Sequence, residues 1–523
     1  MNGAQALTRT LVDHGVDTCF MNPGTSEMHF VAALDSVTDL RGVLALFEGV
    51  ATGAADGYAR MTGRPAATLL HLGPGLGNGL ANLHNARKAH TPVVNIVGDH
   101  ATYHKRYDAQ LESDIETVAR NVSSFIRWSA GPGTVGTDAA DAVLAAIGPP
   151  GQVASLVLPA DASWSEGGHP VAPAPGWSPR SATGSPPDPA AVADAATTLR
   201  SGEPTALLVG GRAVRGDALD DAARVAAATG VRLLSETFPA RLERGAGRPP
   251  VERLSYLAEF TALQLDGLRH LVVVDAASPV SFFAYPDKPS DLVPDGCTVH
   301  HLAGPADDVA AALAALVEEL GCRGTEPVRQ SAARPGRPSG ALTAQTVCEA
   351  LGALLPEGAI VSDEGITAGV YAPGATAGAP PHDWLALTGG AIGQGLPVAV
   401  GAAVACPDRK VVALQADGSA LYTLQSWWTM AREGLDVTTV VLNNRSYAVL
   451  NMELERVGAE PPGPRAKAML DLTGPGLDFG SLARGFGVES ATASTAEEFT
   501  VALERALATS GPSVVEAVIP SVL

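Results

Sequence analysis

Two strand ends in the last third of the chain carry small and oxygen-bearing residues that suit metal and phosphate binding. The residues that follow two apolar, β-branched runs are Asp417, Gly418, Ser419, Asn443 and Asn444. A helix-compatible stretch lies between the runs, which predicts a βαβ unit whose strands end at one edge of a sheet, where open α/β sheets bind ligands. Carboxylate and amide oxygens suit Mg²⁺, and free N–H groups at a helix start suit a diphosphate. Asp417 and Asn444 are therefore predicted to hold Mg²⁺, with Gly418 and Ser419 beside the phosphates.

The joint spacing of these residues resembles the Gly-Asp-Gly…Asn-Asn signature of thiamine diphosphate enzymes. Taken singly, Asp-Gly and Asn-Asn are ordinary turn residues after strands. Ala416 replaces the first glycine of the signature and adds a methyl group near the phosphates. The resemblance implies that the cofactors are thiamine diphosphate and Mg²⁺, and that the backbone carbonyl of Ser446 is a third protein ligand of the metal.

A glutamate in the first third of the chain is the second chemically suggestive residue. Glu48 follows the apolar run 43–47 and precedes a stretch rich in Gly and Ala, so it is predicted to end a buried strand before a helix. Alone, it could be a helix-start residue favoured by the helix dipole. Residues 47–63 are similar to the helix after the essential glutamate of thiamine enzymes. The resemblance implies that Glu48 hydrogen-bonds the aminopyrimidine ring and promotes its imino tautomer by acid–base catalysis.

A histidine ends the next apolar run, residues 67–72. The glycines in residues 73–79 have no register that gives G-x-G-x-x-G, so this loop is not a dinucleotide fingerprint. The loop resembles one in acetohydroxyacid synthase large chains, whereas His71 resembles the active-site histidine of benzoylformate decarboxylase. A lone histidine at a strand end is also a common structural residue. The resemblance implies that His71 transfers a proton or holds the substrate carboxylate, and that Thr25 replaces a substrate-contacting serine.

A third glycine-rich loop, residues 388–397, resembles the family loop in which a bulky apolar residue holds the cofactor in its bent form. Ile392 is the expected apolar support, and the Gly390 carbonyl is the expected acceptor for the amino group of the pyrimidine. Thr367 follows another predicted strand and is expected to donate a hydrogen bond to the diphosphate.

Other positions depart from the benzoylformate decarboxylase pattern or leave the role of a residue open. Ala284 stands where that enzyme has a second active-site histidine, and Glu453 stands in the predicted substrate channel where an aromatic residue would favour a phenyl ring. An aryl substrate is therefore not expected. Asp99, His100 and His104 follow a strand and are interpreted as surface-loop residues, with entry into the same pocket as the alternative.

Length and composition fit a large enzyme with several cores. The chain has 523 residues, which exceeds the size of one core, and 46% of them are hydrophobic. A net charge of −20 argues against nucleic acid or an anionic membrane as partner. The five cysteines are scattered and odd in number, so a disulfide framework or zinc site is not expected and the cytoplasm is the default location. No apolar run reaches membrane-spanning length.

Two proline-rich stretches, residues 166–189 and 324–340, are predicted to be linkers. They divide an α/β protein into three doubly wound parallel-sheet domains. With the roles implied by the resemblance, these are a pyrimidine-binding domain (1–165), a central domain (190–323) and a diphosphate- and Mg²⁺-binding domain (341–523). The resemblance also implies a homodimer or tetramer with active sites across the subunit interface. Acetohydroxyacid synthases hold a flavin in the central domain; no diagnostic flavin residue is visible here, so FAD is left open.

The predicted function is a thiamine diphosphate-dependent enzyme that decarboxylates a 2-oxo acid and forms a carbon–carbon bond, as acetolactate synthase does. One alternative is a simple decarboxylase that releases an aldehyde, as benzoylformate decarboxylase does. His71 favours the alternative, whereas overall similarity favours the first reading. An alternative of another class is a non-catalytic cofactor-binding paralogue, suggested by Ala416 and the missing second histidine. The presence of Glu48 argues against that alternative.

Overall fold

The computed structural model describes residues 1–180, 184–459 and 463–521. Within these ranges the chain forms sheets of six, five and seven strands, with mostly parallel pairing and helices packed around them. The predicted α/β fold with three doubly wound parallel-sheet units is confirmed. Residues 181–183 of the predicted first linker, and 460–462 and 522–523 of the predicted third domain, lie outside the described residues. The domain limits themselves stay a prediction.

The first sheet has the strand order β2-β1-β3-β4-β6-β5, and its pairs are parallel. Its strands are β1 (Thr18–Asn22), β2 (Arg41–Leu44), β3 (Ala66–Leu70), β4 (Val93–Asp99), β5 (Phe125–Trp128) and β6 (Val153–Pro159). Its helices are α1 (Gly3–Asp13), α2 (Met28–Ala33), α3 (Glu48–Thr62), α4 (Leu72–Lys88), α5 (Ile115–Ala119), α6 (Pro132–Ile147) and α7 (Ala160–Trp164). Because β2 and β3 flank β1 on opposite sides, the winding reverses between β1 and β3, and such switch points bind ligands.

The second sheet has the order β10-β8-β7-β11-β12 and is also parallel. Its strands are β7 (Thr205–Val209), β8 (Arg232–Ser235), β10 (Glu252–Arg253), β11 (His270–Val274) and β12 (Thr298–Ala303). The helices of this part are α8 (Pro189–Arg200), α9 (Gly216–Thr229), α10 (Ala258–Leu265) and α11 (Val309–Leu320). The winding reverses between β7 and β11, which defines a second switch point.

The third sheet has the order β17-β18-β16-β15-β13-β14-β9. Its strands are β9 (Leu242–Arg244), β13 (Ile360–Glu364), β14 (His382–Leu385), β15 (Val411–Ala416), β16 (Val437–Asn443), β17 (Glu489–Ala493) and β18 (Ser513–Val518). Its helices are α12 (Ala344–Leu354), α13 (Ala372–Ala375), α14 (Gly395–Ala405), α15 (Asp417–Ala420), α16 (Gln425–Glu433), α17 (Ala448–Arg456), α18 (Pro464–Ala468), α19 (Phe479–Gly485) and α20 (Ala496–Ala508). A third switch point lies between β13 and β15. The edge strand β9 comes from the middle third of the chain and pairs antiparallel with β14.

The first and third sheets are joined by the close packing of helices α3 and α14. A methyl group on Gly57 would lie 2.2 Å from the carbonyl oxygen of Val398, and one on Gly401 would lie 1.9 Å from that of Ala54. Only glycine permits this approach, which explains the run of small residues after Glu48. The packing holds the start of α3 beside the loop that precedes α14.

Three whole-chain features bear on cofactors and environment. All five cysteines are free. Across residues 1–180, 184–459 and 463–521, no three His, Cys, Asp or Glu side chains group into a metal site. No helix in the same ranges is both long and apolar enough to cross a membrane.

Candidate active site

The ends of strands β1, β3 and β4 meet at a buried carboxylate. Glu27 is fully buried, and its Oε2 lies 2.8 Å from Nδ1 of His71 and accepts a hydrogen bond from the Gly24 N–H at 2.7 Å. The Ser26 hydroxyl donates to the other oxygen at 2.7 Å. A methyl group on Gly98 would lie 1.6 Å from that same oxygen. His71 is therefore held in one orientation by a carboxylate with a full set of partners.

Thr25 belongs to the same constellation as His71. It begins the short 3₁₀ turn Thr25–Glu27, and the preceding residue, Gly24, lies against the imidazole of His71. A methyl group on Gly24 would lie 2.2 Å from Nδ1 of His71. Thr25 itself is exposed in the single chain. The fold thus brings the predicted residues Thr25 and His71 to one switch point and leaves the threonine side chain accessible.

Strained backbone marks the turns after three strands that carry predicted site residues. Leu72, Ile366 and Arg445 have φ values of 51°, 47° and 57°, in the left-handed region that bulky residues rarely adopt. They follow β3, β13 and β16, at the turns that carry His71, Thr367 and Asn444. Such strain persists only where the surrounding structure enforces it, and it concentrates at functional sites.

Glu48 does not end a strand, as the sequence suggested. Strand β2 ends at Leu44, three residues outside regular structure follow, and Glu48 is the first residue of α3. Its side chain is 5% exposed, and Oε2 accepts a hydrogen bond from Nδ2 of Asn78 at 3.0 Å. A methyl group on Gly75 would lie 3.0 Å from Oε1. Both carboxylate oxygens thus face the glycine-rich start of α4, which also carries His71 at its N-cap.

The predicted metal ligands lie at the ends of β15 and β16. Asp417 is 1% exposed; Oδ1 accepts from the Gly418 N–H at 2.7 Å and Oδ2 from the Arg445 N–H at 2.6 Å. Burial raises the pKa of Asp417, and the backbone donors oppose that shift. A buried carboxylate of this kind favours a nearby cation because a cation offsets the cost of its charge.

The neighbouring strand end supplies further oxygen atoms. Asn444 is buried, and its Oδ1 accepts from the Ser446 N–H at 3.0 Å, so both predicted ligands lie in one tight turn. Gly418 packs under the ring of Tyr447, where a methyl group would lie 2.4 Å from Cε1. The Asp417 carboxylate after β15, and an amide oxygen and a carbonyl in the turn after β16, form the hard donor set that Mg²⁺ prefers. The residues present therefore fit a Mg²⁺–diphosphate group.

Ser419 and Thr367 lie near one another at the switch point between β13 and β15. The Ser419 hydroxyl donates to the carbonyl of Ala416 at 3.1 Å and approaches the carbonyl of Glu364 at 3.5 Å. Thr367 caps a short 3₁₀ turn three residues after Glu364. These two predicted phosphate-contacting residues therefore lie just after the ends of two adjacent strands, β15 and β13.

The loop that carries Gly390 and Ile392 is fastened by a buried carboxylate. Glu364 accepts hydrogen bonds from the N–H groups of Gly393 (2.6 Å), Gln394 (3.4 Å) and Gly395 (2.7 Å). Gly390 has a φ of 72°, which favours glycine, while Ile392 is half-buried. The carboxylate thereby fixes the end of the loop on which both predicted cofactor contacts lie.

The buried carboxyl of Glu364 should make the free energy of unfolding depend on pH. Burial raises its pKa from 4.5 to about 7, so the folded protein retains a proton that the unfolded chain loses between those values. Stability should therefore fall as pH rises from about 4.5 to about 7, by about 3 kcal/mol from this group. Glu364→Gln should remove this part of the slope in denaturant unfolding of the cofactor-free protein. Glu349→Gln, a half-buried position on helix α12, should keep it; an unchanged slope in Glu364→Gln would contradict the assignment.

The structure corrects the surface-loop interpretation for Asp99 and gives Glu453 fixed partners. Asp99 ends β4 with 1% exposure and is paired with Nζ of Lys105 at 2.9 Å. His100 and His104 are partly buried, with ring centroids 5.3 Å apart. Glu453 accepts from the hydroxyl of Tyr256 at 3.2 Å, so it lies against the central part of the chain.

An aromatic group from the middle third lies over the loop of Gly390. A methyl group on Gly390 would lie 2.5 Å from Cζ of Phe282. Phe282 packs edge-on against Phe238 at 5.8 Å and tilted against Tyr256 at 5.3 Å between ring centroids. Ala284, in the same segment as Phe282, brings no titratable group to this wall.

The switch point between β7 and β11 opens into a cleft of about 760 Å³ between the first and second sheets. Two carboxylates already occupy its turn: Glu236 accepts from the Gly211 N–H at 2.9 Å, and Asp275 accepts from the Arg212 N–H at 2.7 Å. Burial raises the pKa of Glu236 to about 7. Because these N–H groups are engaged by the chain's own acids, the turn offers no free cradle for the diphosphate of FAD, and FAD stays unsupported.

Three residues with direct roles in this geometry were not predicted from the sequence: Glu27, Asn78 and Glu364. Their roles come from the groups that they contact. Glu27 contacts His71, Asn78 contacts Glu48, and Glu364 contacts the loop before α14. One signal was available for Glu27, since it lies two residues after Thr25 in a Gly-Thr-Ser-Glu turn. Asn78 stood inside the glycine-rich loop, and Glu364 stood at a predicted strand end.

Comparison with known protein families identifies cofactor-binding domains at both ends of the chain. Residues 1–119 match the N-terminal thiamine pyrophosphate-binding domain of thiamine pyrophosphate enzymes, and residues 369–517 match the C-terminal one. A Mycobacterium tuberculosis protein, named provisionally as acetolactate synthase large subunit IlvX, is 59% identical over 524 aligned residues, which cover all of both chains. Benzoylformate decarboxylase of Pseudomonas aeruginosa is 31% identical, with 96% of each chain covered.

A solved structure extends the similarity to the whole fold. The thiamine diphosphate-dependent 4-hydroxybenzoylformate decarboxylase of Rhodococcus jostii superposes with a TM-score of 0.84 at 25% identity, with 99% of each chain covered. Both cofactor-binding domain models, a full-length relative at 59% identity and this superposition agree. The chain therefore belongs to the thiamine pyrophosphate enzyme family, in the group that contains acetolactate synthase large subunits and benzoylformate decarboxylases.

Proposed function

We propose that the protein is a thiamine diphosphate- and Mg²⁺-dependent enzyme that decarboxylates a 2-oxo acid. The observation that carries the proposal is the buried Glu48 carboxylate, held by Asn78 at 3.0 Å on the helix whose N-cap is His71. Glu48 and the histidine oriented by Glu27 are two separate acid–base groups of the kind that such chemistry requires.

Asp417, Asn444 and the carbonyl of Ser446 would hold Mg²⁺ in this proposal. Gly418, Ser419 and Thr367 would stand beside the diphosphate, and the Gly390 carbonyl and Ile392 would contact the pyrimidine and the bend of the cofactor. The oxygen donor set and the steric need for glycine at position 418 support this assignment.

Thiamine diphosphate, when bound, supplies an electron-accepting thiazolium that allows a 2-oxo acid to lose carbon dioxide. Glu48 holds and returns a proton at the pyrimidine ring. His71 directs Nδ1 to Glu27, which leaves Nε2 as the nitrogen that can hold the substrate carboxylate or transfer a proton. The turn of Thr25 brings a hydroxyl to the same edge of the sheet.

Two fates of the decarboxylated substrate are compatible with these roles. Carbon–carbon bond formation of the acetolactate synthase type is supported by the similarity of the whole chain to the M. tuberculosis protein. Release of an aldehyde is the second candidate. The Glu27–His71 contact favours it, because a fixed imidazole can deliver the proton that completes such a release.

Product identification separates the two fates. The purified protein, loaded with thiamine diphosphate and Mg²⁺, would be incubated with a panel of 2-oxo acids, and the products would be identified by mass spectrometry. An acyloin product supports carbon–carbon bond formation, whereas an aldehyde supports simple decarboxylation. Absence of carbon dioxide release from every 2-oxo acid, in a protein shown to bind the cofactor, would overturn the proposal and favour a non-catalytic paralogue.

Loss of the Glu27 carboxylate should weaken His71 function. Glu27→Gln should lower kcat about 10- to 100-fold, because an uncharged amide oxygen holds the imidazole by a weaker hydrogen bond than the Oε2 of a carboxylate. Steady-state kinetics of Glu27→Gln, of His71→Ala and of the double variant would test this. Glu27→Gln combined with His71→Ala should be no slower than His71→Ala alone, since the two residues act as a unit. Additive losses would show that Glu27 acts by another route.

The proposal includes active sites that form across the interface of a homodimer or tetramer, as the family resemblance implies. Sedimentation of the holoenzyme, with activity measured across the dissociation range, tests this part. An active monomer would contradict it. The cytoplasmic location expected from the scattered cysteines also stays a prediction.

A further inference from the structure

Asn78 makes the one side-chain hydrogen bond that the structure gives to the Glu48 carboxylate within the described ranges. Nδ2 of Asn78 lies 3.0 Å from Oε2 of Glu48. An ionised carboxylate can only accept, so the amide nitrogen must face it. The second oxygen, Oε1, is confined by Gly75, where a methyl group would already lie 3.0 Å away. Residues of α4 therefore lie beside both oxygens of the Glu48 carboxylate.

Two further glycines at the start of α4 pack closely against neighbouring residues. A methyl group on Gly73 would lie 1.9 Å from Oγ of Ser113, and one on Gly79 would lie 2.9 Å from Cγ2 of Thr52. These contacts fix the position of α4 against its neighbours. A methyl group on Gly77 would meet nothing within 4 Å. The contacts of Gly73 and Gly79 pack the start of α4 against its neighbours, and this packing gives the Asn78 amide a defined position.

Asn78 is also a poor choice for the stability of its helix. It is exposed in α4, where asparagine forms helix less well than alanine. A residue that departs from local preference at an exposed position is often retained for another purpose. The side-chain contact observed for Asn78 is the one with Glu48.

We propose that Asn78 is a positioning residue that orients the Glu48 carboxylate for proton transfer with the pyrimidine ring of thiamine diphosphate. The inference rests on the proposed function of Glu48. Asn78 acts through Glu48, so its loss should slow proton transfer more than it weakens cofactor binding. A hydrogen bond to a charged group typically contributes an amount that corresponds to about 10- to 100-fold in rate.

Deuterium exchange at the thiazolium C2 position of bound thiamine diphosphate tests the proposal together with the dissociation constant of the cofactor. Asn78→Ala should slow exchange about 10- to 100-fold, with the dissociation constant within about threefold of wild type. Asn78→Asp keeps the size but replaces the donor with a second carboxylate, so it should be slower still. Gly77→Ala, on the preceding residue, is the matched control and should exchange at the wild-type rate.

The outcomes separate this inference from the function on which it rests. Exchange at the wild-type rate in Asn78→Ala or Asn78→Asp overturns the role of Asn78, provided that Glu48→Gln is slow. Exchange at the wild-type rate in Glu48→Gln overturns the proposed role of Glu48 itself. A weakened cofactor affinity with normal exchange at saturation would show that Asn78 only shapes the binding surface, which also contradicts the proposal.

Discussion

Glu48→Gln should lower kcat by about 10³-fold while leaving the affinity for thiamine diphosphate within about tenfold of wild type. Glutamine keeps the length and most of the packing of the side chain beside Gly75, but it cannot exchange a proton at neutral pH. The amide can still accept from Asn78, so the local structure should persist. Turnover with the best 2-oxo acid of the panel and cofactor titration by calorimetry would measure the two quantities separately.

Glu349→Gln is a suitable control, because that side chain lies half-buried on α12 and accepts a hydrogen bond from Gln345 in the same helix. It should retain wild-type kcat and cofactor affinity. Wild-type turnover in Glu48→Gln would remove the acid–base role from this residue. If Glu48→Gln loses cofactor affinity but keeps its turnover at saturation, Glu48 anchors the cofactor and another group transfers the proton.

The fold was largely predictable because its strands are long, apolar and buried. The apolar run before Asn443 was predicted as a strand, and β16 occupies Val437–Asn443 with every residue buried. β9 was not predicted, since three residues that include Glu243 and Arg244 carry no readable period. It exists because the edge of the third sheet is open beside β14. The helix predicted between the two strands, residues 421–434, begins only at Gln425 as α16, and a turn separates it from the short α15 before it.

The candidate site was predictable where one short segment contains both the motif and its strand end. Asp417, Asn444 and His71 met that condition. Glu27, Asn78 and Glu364 did not, because their roles depend on residues 44, 30 and 29 positions away respectively. A sequence pattern shows which strand ends carry polar groups. It does not show which two ends the winding of the sheet will bring together.

The same winding explains why buried acids recur at these places. Glu27 and Glu364 each sit beside a switch point and accept hydrogen bonds from backbone or side-chain donors of a neighbouring turn. Parallel strands end there with unpaired N–H groups, and a carboxylate satisfies several at once. The protein thus uses acids to build the loops, and separate acids, Glu48 and Asp417, face the position predicted for the cofactor.

Asp417→Asn should remove most of the cofactor-induced stabilisation of the protein, leaving about 0.4 kcal/mol or less where wild type gains about 2.7 kcal/mol. Asp417 is the one carboxylate among the three predicted metal ligands, so its loss removes the negative charge that attracts Mg²⁺. Changes around metal ligands commonly cost 10- to 100-fold in affinity, and loss of a direct ligand should raise the dissociation constant at least about 100-fold. Wild type should gain about 2.7 kcal/mol of stability when the cofactor is present at 100 times its dissociation constant.

Thermal unfolding with and without thiamine diphosphate and Mg²⁺ measures this difference directly. Wild type should show a clear rise in Tm on loading, and Asp417→Asn should show a rise at least about sixfold smaller at the same concentrations. Asp471→Asn is the matched control: Asp471 is paired through the backbone with Ser446, but its carboxylate faces Thr473 at the surface. The control should respond as wild type does. A full rise in Tm for Asp417→Asn would place the metal elsewhere, because an amide at this position cannot replace the buried charge that the proposed site requires.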